Sequence, residues 1–178
     1  MPRKVDRLQW ARLCDRPAVL PKRRVNYRNL KAVGLRFEKS VAAAVRALRL
    51  GETIHGQWFE YLDANGHGYC QTDVLLLRRD DAVVLECKLT EVEEAQTQLE
   101  DLYLPIVRRV YRRPAVGVVV VRHLTKLTNT ARVCDSLEAA LGMGSLPILH
   151  WIGRGPIGHA PGLVARAGID TAARRVTQ

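Results

Sequence analysis

No stretch of this chain approaches the roughly 20 consecutive apolar residues that a membrane-crossing helix needs, so no membrane association is expected. No apolar run follows the charged start, so no secretory leader is expected either. Cysteine is scarce. The four, Cys14, Cys70, Cys87 and Cys134, lie far apart with no Cys-x-x-Cys pair, which excludes a zinc ribbon and the common iron–sulfur spacings. Cys70 and Cys87 fall in apolar strand patterns and read as small core residues, in keeping with a reducing, cytoplasmic setting. There is no internal repeat and no low-complexity tract. What is left is an ordinary globular composition of 178 residues, enough for one domain with a sizeable core.

Charge of one sign is in excess, with a formal net charge of +10. The excess is local. Residues 1–31 hold ten Lys/Arg against two Asp, while the remainder is close to neutral. The chain therefore divides into a basic arm over 1–31, a core domain over 32–153 and a Gly/Pro-rich basic tail over 154–178. A basic arm on a near-neutral body suggests a polyanion partner, with Arg23 and Arg24 among the candidate phosphate contacts. Trp10 and Tyr27 are interleaved with those charges and suit base stacking. The bland alternative is a solubilising tail. A short helix is expected over Val5–Leu13, and Pro17 and Pro21 stop it from continuing.

Leu35 to Leu50 reads as a helix closed by Gly51, with Glu38 in its first turn, where the helix dipole favours an acid. Glu52–Leu62, Tyr69–Leu77 and Ala82–Leu89 read as three strands of an antiparallel meander, the first pair joined around Asn65-Gly66. Thr90 to Arg113 reads as a long amphipathic helix. Thr90 and Glu93 form a capping box, and Val92, Ala95, Leu99, Leu102, Ile106 and Val110 form its apolar stripe. Pro105 should kink or split it. Arg108, Arg109 and Arg112 crowd its end, as a solvated terminus or a phosphate clamp. Ala115–Val121 is an unbroken apolar run, expected as a central strand parallel to a neighbour and ending on Arg122 and His123. A helix over Thr128–Leu141, a strand over Ile148–Ile152 and a loop beyond complete the order.

The stretch from Tyr69 to Lys88 carries the chemistry. Side chains two apart on a strand share a face, so Glu86 and Lys88 project together while Cys87 projects the other way. If the two strands pair around the Arg78–Asp81 turn, Asp73 comes beside Glu86. Two carboxylates on one face repel unless a proton or cation lies between them. Carboxylates with a main-chain carbonyl suit a hard ion such as Mg²⁺, and a neighbouring lysine could hold a water for attack on phosphorus.

Asp73 followed thirteen residues later by Glu86-Cys87-Lys88, in a strand–turn–strand setting, resembles the PD-(D/E)xK nuclease superfamily. Thr72 stands where the proline of that name would be. The resemblance covers about Leu35 to Leu124. It implies an α/β, restriction-endonuclease-like core: a mixed central sheet with an antiparallel three-strand meander, a parallel strand after a crossover helix, and helices on both faces. It implies a metal-dependent deoxyribonuclease in which Asp73, Glu86 and the Cys87 carbonyl bind Mg²⁺ or Mn²⁺ and Lys88 serves the attacking water. Glu38 matches the glutamate that many members carry on the first helix, as a further ligand or water holder. Gln98 matches the glutamine of the Gln-x-x-x-Tyr signature in RecB-like members, although Tyr103 follows it by five residues rather than four. The spacing and size also resemble Holliday-junction resolvases, which act as dimers. A catalytically silent DNA-binding or interaction module on the same fold is the remaining alternative.

Overall fold

The structure, a computed structural model, describes residues 4–18, 30–90, 92–123, 133–143 and 146–151. In chain order its strands are β1 (Trp10–Cys14), β2 (Glu52–His55), β3 (Trp58–Asp63), β4 (Gly66–Gln71), β5 (Val74–Leu77), β6 (Ala82–Lys88), β7 (Ala115–Val121), β8 (Val133–Cys134) and β9 (Ile148–His150). Its helices are α1 (Leu30–Ala47), α2 (Val92–Gln98), α3 (Leu104–Tyr111) and α4 (Leu137–Gly142), with a π-helical turn over Leu99–Tyr103 joining α2 to α3. Arg23, Arg24, residues 124–132 and the tail from 152 lie outside the described residues.

A mixed six-stranded sheet, β2-β5-β6-β7-β9-β8, forms the centre, and a second, antiparallel sheet is ordered β1-β3-β4. β6 is antiparallel to β5 and parallel to β7, and Ala82 through Cys87 are all buried. Covered on both faces, β6 and β7 can be apolar without alternation. Val83, Leu85 and Cys87 pack with Val41 and Val45 of α1 on one face. Ala82 and Val84 pack with Ala95, Leu99 and Ile106 on the other, which the inner face of the second sheet also joins. This is the α/β arrangement expected, with helices on both faces of a mixed sheet.

The meander exists, but two of its strands change sheets. The segment read as one strand over Glu52–Leu62 is β2 and β3, split at Gly56-Gln57; the segment over Tyr69–Leu77 is β4 and β5, split at Thr72-Asp73. Gly56 has φ +71°, a conformation that favours glycine, which lets the chain swerve there. The two crossings lie side by side: Gly56 N–H donates to Asp73 O at 3.0 Å, and Thr72 N–H donates to Gln57 O at 3.0 Å. The hairpin of β3 and β4 thus swings out of the central sheet and pairs with β1.

Three helix readings change. Val5–Leu13 holds no helix; its second half is β1, because five residues pair along the open edge of β3 and tertiary pairing outweighs a weak helical period. α1 begins at Leu30, so Glu38 lies in its third turn and no acid occupies its first. The dipole therefore does not account for Glu38. The described part of the helix expected over Thr128–Leu141 is the short strand β8 and then α4, whose N-cap Ser136 accepts from Ala139 N–H at 3.1 Å.

The long helix after β6 keeps its stripe but contains the π turn. Leu104 N–H reaches back five residues to Leu99 O. Pro105 has no N–H to donate, and the Asp101 carbonyl it would have used accepts Val5 N–H at 2.8 Å instead. Lys4 Nζ lies 3.1 Å from Asp101 Oδ1. The irregularity at Pro105 is thus where the N-terminal segment docks.

Candidate active site

By register Val74 faces Leu85, so Asp73 falls opposite Glu86 and Thr72 opposite Cys87. Thr72 has already turned away toward Gln57, which leaves Cys87 N–H without its ladder partner. Asp73 Oδ2 takes that place and accepts Cys87 N–H at 2.7 Å. The main chain leaving the sheet is therefore what puts a carboxylate at its end. N–H and C=O of a strand residue point the same way, so the Cys87 carbonyl is directed to the same edge.

Glu86 is 3% exposed and shares the face of Asp73. Its Oε1 lies 3.2 Å from Lys88 Nζ, and its Oε2 is buried with no hydrogen-bond partner. Burial and then the Glu86 charge push the Asp73 carboxyl well above the ordinary range. Burial also raises Glu86, against the pull of Lys88. Burial works against the Lys88 charge, but Glu86 and the further acids Glu94 and Asp73 outweigh it and hold the ammonium protonated.

Glu38 reaches the same sheet end from α1. Its carboxyl is raised to about 7, by burial first and the Asp73 charge second. His55, the last residue of β2, places Nε2 3.9 Å from Glu38 Oε2, too far for a hydrogen bond. That Nε2 is buried without a hydrogen-bond partner, and burial with the charges of Lys39 and Arg46 pulls the imidazole down. His55 therefore stands beside Glu38 with its charged form disfavoured. Nothing in the sequence marked it, because one histidine on a strand has no pattern.

Gln98, at the end of α2, has its Oε1 buried and unpartnered. Tyr103 is buried, and after burial itself the charges of Glu86 and Asp73 act most strongly on its hydroxyl, raising it. Gln98 and Tyr103 are five residues apart. In a π helix the hydrogen bonds run over five residues, so that step closes about one turn and returns both side chains to one face. The five-residue spacing, which is out of phase for a regular helix, is in phase here.

Arg108, Arg109 and Arg112 are elsewhere. Arg108 Nη2 donates to Ala115 O at 3.1 Å, and Ala115 pairs with Ala82 at the start of β6. From there to Lys88 is the length of the strand, about 20 Å at roughly 3.3 Å per residue. The arginines border a cavity of about 560 Å³ with Trp10. Arg122 and His123 donate their main-chain N–H groups to Lys88 O at 3.2 Å and Leu89 O at 2.9 Å. They continue the pairing that fixes the end of β6.

The donor chemistry fits a hard divalent cation: oxygen only, two adjoining carboxylates with raised affinities for a proton, and one buried carboxylate oxygen without a partner. Among the described residues no three His, Cys, Asp or Glu side chains form a metal-holding group. A donor set here would be two side chains plus the Cys87 carbonyl, the kind of partial cage that leaves Mg²⁺ with waters and substrate oxygens. Among the described residues no helix is long and apolar enough to cross a membrane.

No protein-family model matches the chain, and no curated protein is significantly similar to it. Among solved structures, the small subunit of the heterodimeric restriction endonuclease R.BspD6I is similar at 20% identity, with 50% of each chain covered and a TM-score of 0.30. The chain thus spans about half the length of that subunit. A likeness of that size leaves the fold to be read from the strand order itself.

Proposed function

We propose that this chain is a divalent-metal-dependent nuclease that hydrolyses DNA phosphodiester bonds. One observation carries the reading: Asp73 caps Cys87 N–H at 2.7 Å beside the buried Glu86, which in turn holds Lys88 at 3.2 Å. Two acids and an ammonium, from β6 and from the crossing before β5, meet where the apolar sheet ends. A mere surface ion pair would not bury a carboxylate with one oxygen unpartnered.

Asp73, Glu86 and the Cys87 carbonyl would hold Mg²⁺ or Mn²⁺. The ion supplies positive charge to the phosphate and lowers the pKa of water. Lys88 orients the attacking water and offsets charge growing on the phosphoryl oxygens. Glu38, protonatable near neutral pH, holds a water against that charge. Gln98, at the end of α2, and Tyr103, in the π turn, brace the acids.

The test is cleavage of labelled linear duplex, single-stranded and four-way-junction DNA in magnesium, manganese or chelator. Cleavage is expected with either metal and none with chelator. Lys88→Ala should reduce it at least about 100-fold while DNA binding stays within roughly twofold. Unchanged cleavage by Lys88→Ala refutes the role of the lysine. Preferential cutting of junctions by a homodimer would give the resolvase form of the reading. DNA binding without cutting in any metal would leave a silent module.

A further inference from the structure

The second sheet has one face inside and one outside. Phe59, Tyr61 and Cys70 face the core. Side chains alternate, so their neighbours face out. Pairing lines up Trp58 with Gln71, Glu60 with Arg12 and Tyr69, and Leu62 with Trp10 and His67. The solvent face of an antiparallel sheet is ordinarily polar. Here it carries two of the three tryptophans of the chain, with a tyrosine and a histidine.

Trp10, His67 and Tyr69 are held in place. Glu60 accepts from Arg12 Nε at 2.6 Å and from Tyr69 OH at 3.1 Å, and its Oε1 lies 2.7 Å from His67 Nε2. Arg12 thus neutralises the one acid on the face. His67 stands edge-on to Tyr69 with ring centroids 4.9 Å apart, and the Arg12 guanidinium lies 5.5 Å from the Trp10 centroid. The Arg12 side chain is 69% exposed and that of His67 44%.

Trp10 also walls the 560 Å³ cavity lined by Arg108, Arg109 and Arg112. Arg109 Nη2 donates to Gln9 O at 3.1 Å, which seats the guanidinium beside the tryptophan. At its other end the ring-bearing face reaches Gln71, two residues before Asp73. From Gln71 to His67 is about 13 Å at roughly 3.3 Å per residue, room for a few stacked bases.

We propose that this face and its arginine cavity bind an unpaired nucleic-acid strand, bases on the rings and phosphates on the arginines. The proposal rests on the nuclease reading and names its substrate class: DNA that is single-stranded or holds an unpaired stretch. A duplex hides its base faces in the stack and would use only the arginines. A second copy of a chain with net charge +10 is the less suitable occupant, because the arginines would face their own kind.

The experiment titrates the full chain, in chelator, with fluorescein-labelled oligo(dT), oligo(U) and blunt duplex of equal length, read by anisotropy and by tryptophan emission. Trp151 is buried, so quenching reports Trp10 and Trp58. Oligo(dT) should bind at least about tenfold more tightly than duplex and quench the emission. Trp58→Ala should weaken it about tenfold, Trp58→Phe less than threefold, and Arg109→Ala should lower the salt slope by about one. Duplex bound as tightly as oligo(dT), or saturation without quenching, overturns the proposal without relying on any variant. Tighter binding of oligo(U) than oligo(dT) overturns the link to a DNA substrate. A dimer that Trp58→Ala dissociates with strand binding intact gives the face to a second copy. Chelator keeps cleavage out of the readout. Strand binding with no cleavage in any metal sinks the nuclease reading and leaves this surface. Cleavage of every DNA with no effect of Trp58→Ala does the reverse.

Discussion

Asp73 joins fold and chemistry in one residue. Its carboxylate replaces a main-chain partner for Cys87 N–H and at the same time presses a charge against Glu86. Glu38 records the consequence, with its carboxyl raised to about 7 from 4.5. Below about pH 4.5 it is protonated folded and unfolded alike. Between about 4.5 and about 7 it ionises in the unfolded chain first, so its contribution to stability falls as pH rises through that window. In chelator, the melting temperature should therefore fall from pH 5 to pH 7.5, and Glu38→Gln should flatten the fall. Added Mg²⁺ should raise the melting temperature more at pH 7.5 than at pH 5, since ligands must be ionised to bind it. A Glu38→Gln profile parallel to that of the parent would contradict the placement of Glu38 among the acids. Glu86 and Lys88 were legible as a pair because a period of two needs only the strand, and Asp73 because pairing around the Arg78–Asp81 turn sets it beside Glu86. His55 was not, because one histidine on a strand has no pattern, and only the packing of β2 against α1 brings it to Glu38.

The element that departs most from its sequence pattern is the helix after β6. A stripe at three- and four-residue steps reads as one α-helix, and Pro105 announces only that something gives way. What gives way is one turn, which takes five residues between Gln98 and Tyr103. Deleting the exposed Glu100 should convert that turn to regular α-helix and keep both faces in phase. Its melting temperature should stay within about 3 °C of the parent. Deleting Arg108 from α3 instead rotates everything after it by about 100° and should cost roughly 10 °C or more. Thermal melts followed by circular dichroism separate the two; equal losses would contradict the account of the π turn. The same limit explains the two split strands. Tyr69–Leu77 read as one strand between two turns, but that reading cannot tell that Thr72-Asp73 changes sheets. Likewise the start of α1 was misplaced by five residues, and with it the dipole explanation of Glu38.

At the scale of the whole molecule, acids and arginines occupy opposite ends of β6, about 20 Å apart at roughly 3.3 Å per residue. A long polyanion can touch both; a mononucleotide cannot. DNA affinity should accordingly fall at least about tenfold between 50 and 200 mM salt, with a log–log slope that anisotropy titrations give directly. A slope near zero would remove the polyelectrolyte part of the account. The chain order of helix, meander, crossover helix and parallel strand was legible because each piece has its own signature: a helical stripe, strands set off by turns, or an unbroken apolar run. The outward hairpin was not, since its partner β1 comes from a segment that reads as helix. The central claim is that Asp73 and Glu86 hold one divalent ion. Titration of Mn²⁺ into the full chain at pH 7.5, followed by electron paramagnetic resonance of the free ion, tests it most directly. The account predicts one ion per chain, lost in Asp73→Asn and Glu86→Gln and kept in Lys88→Ala. Equal Mn²⁺ uptake by Asp73→Asn and the parent would contradict it.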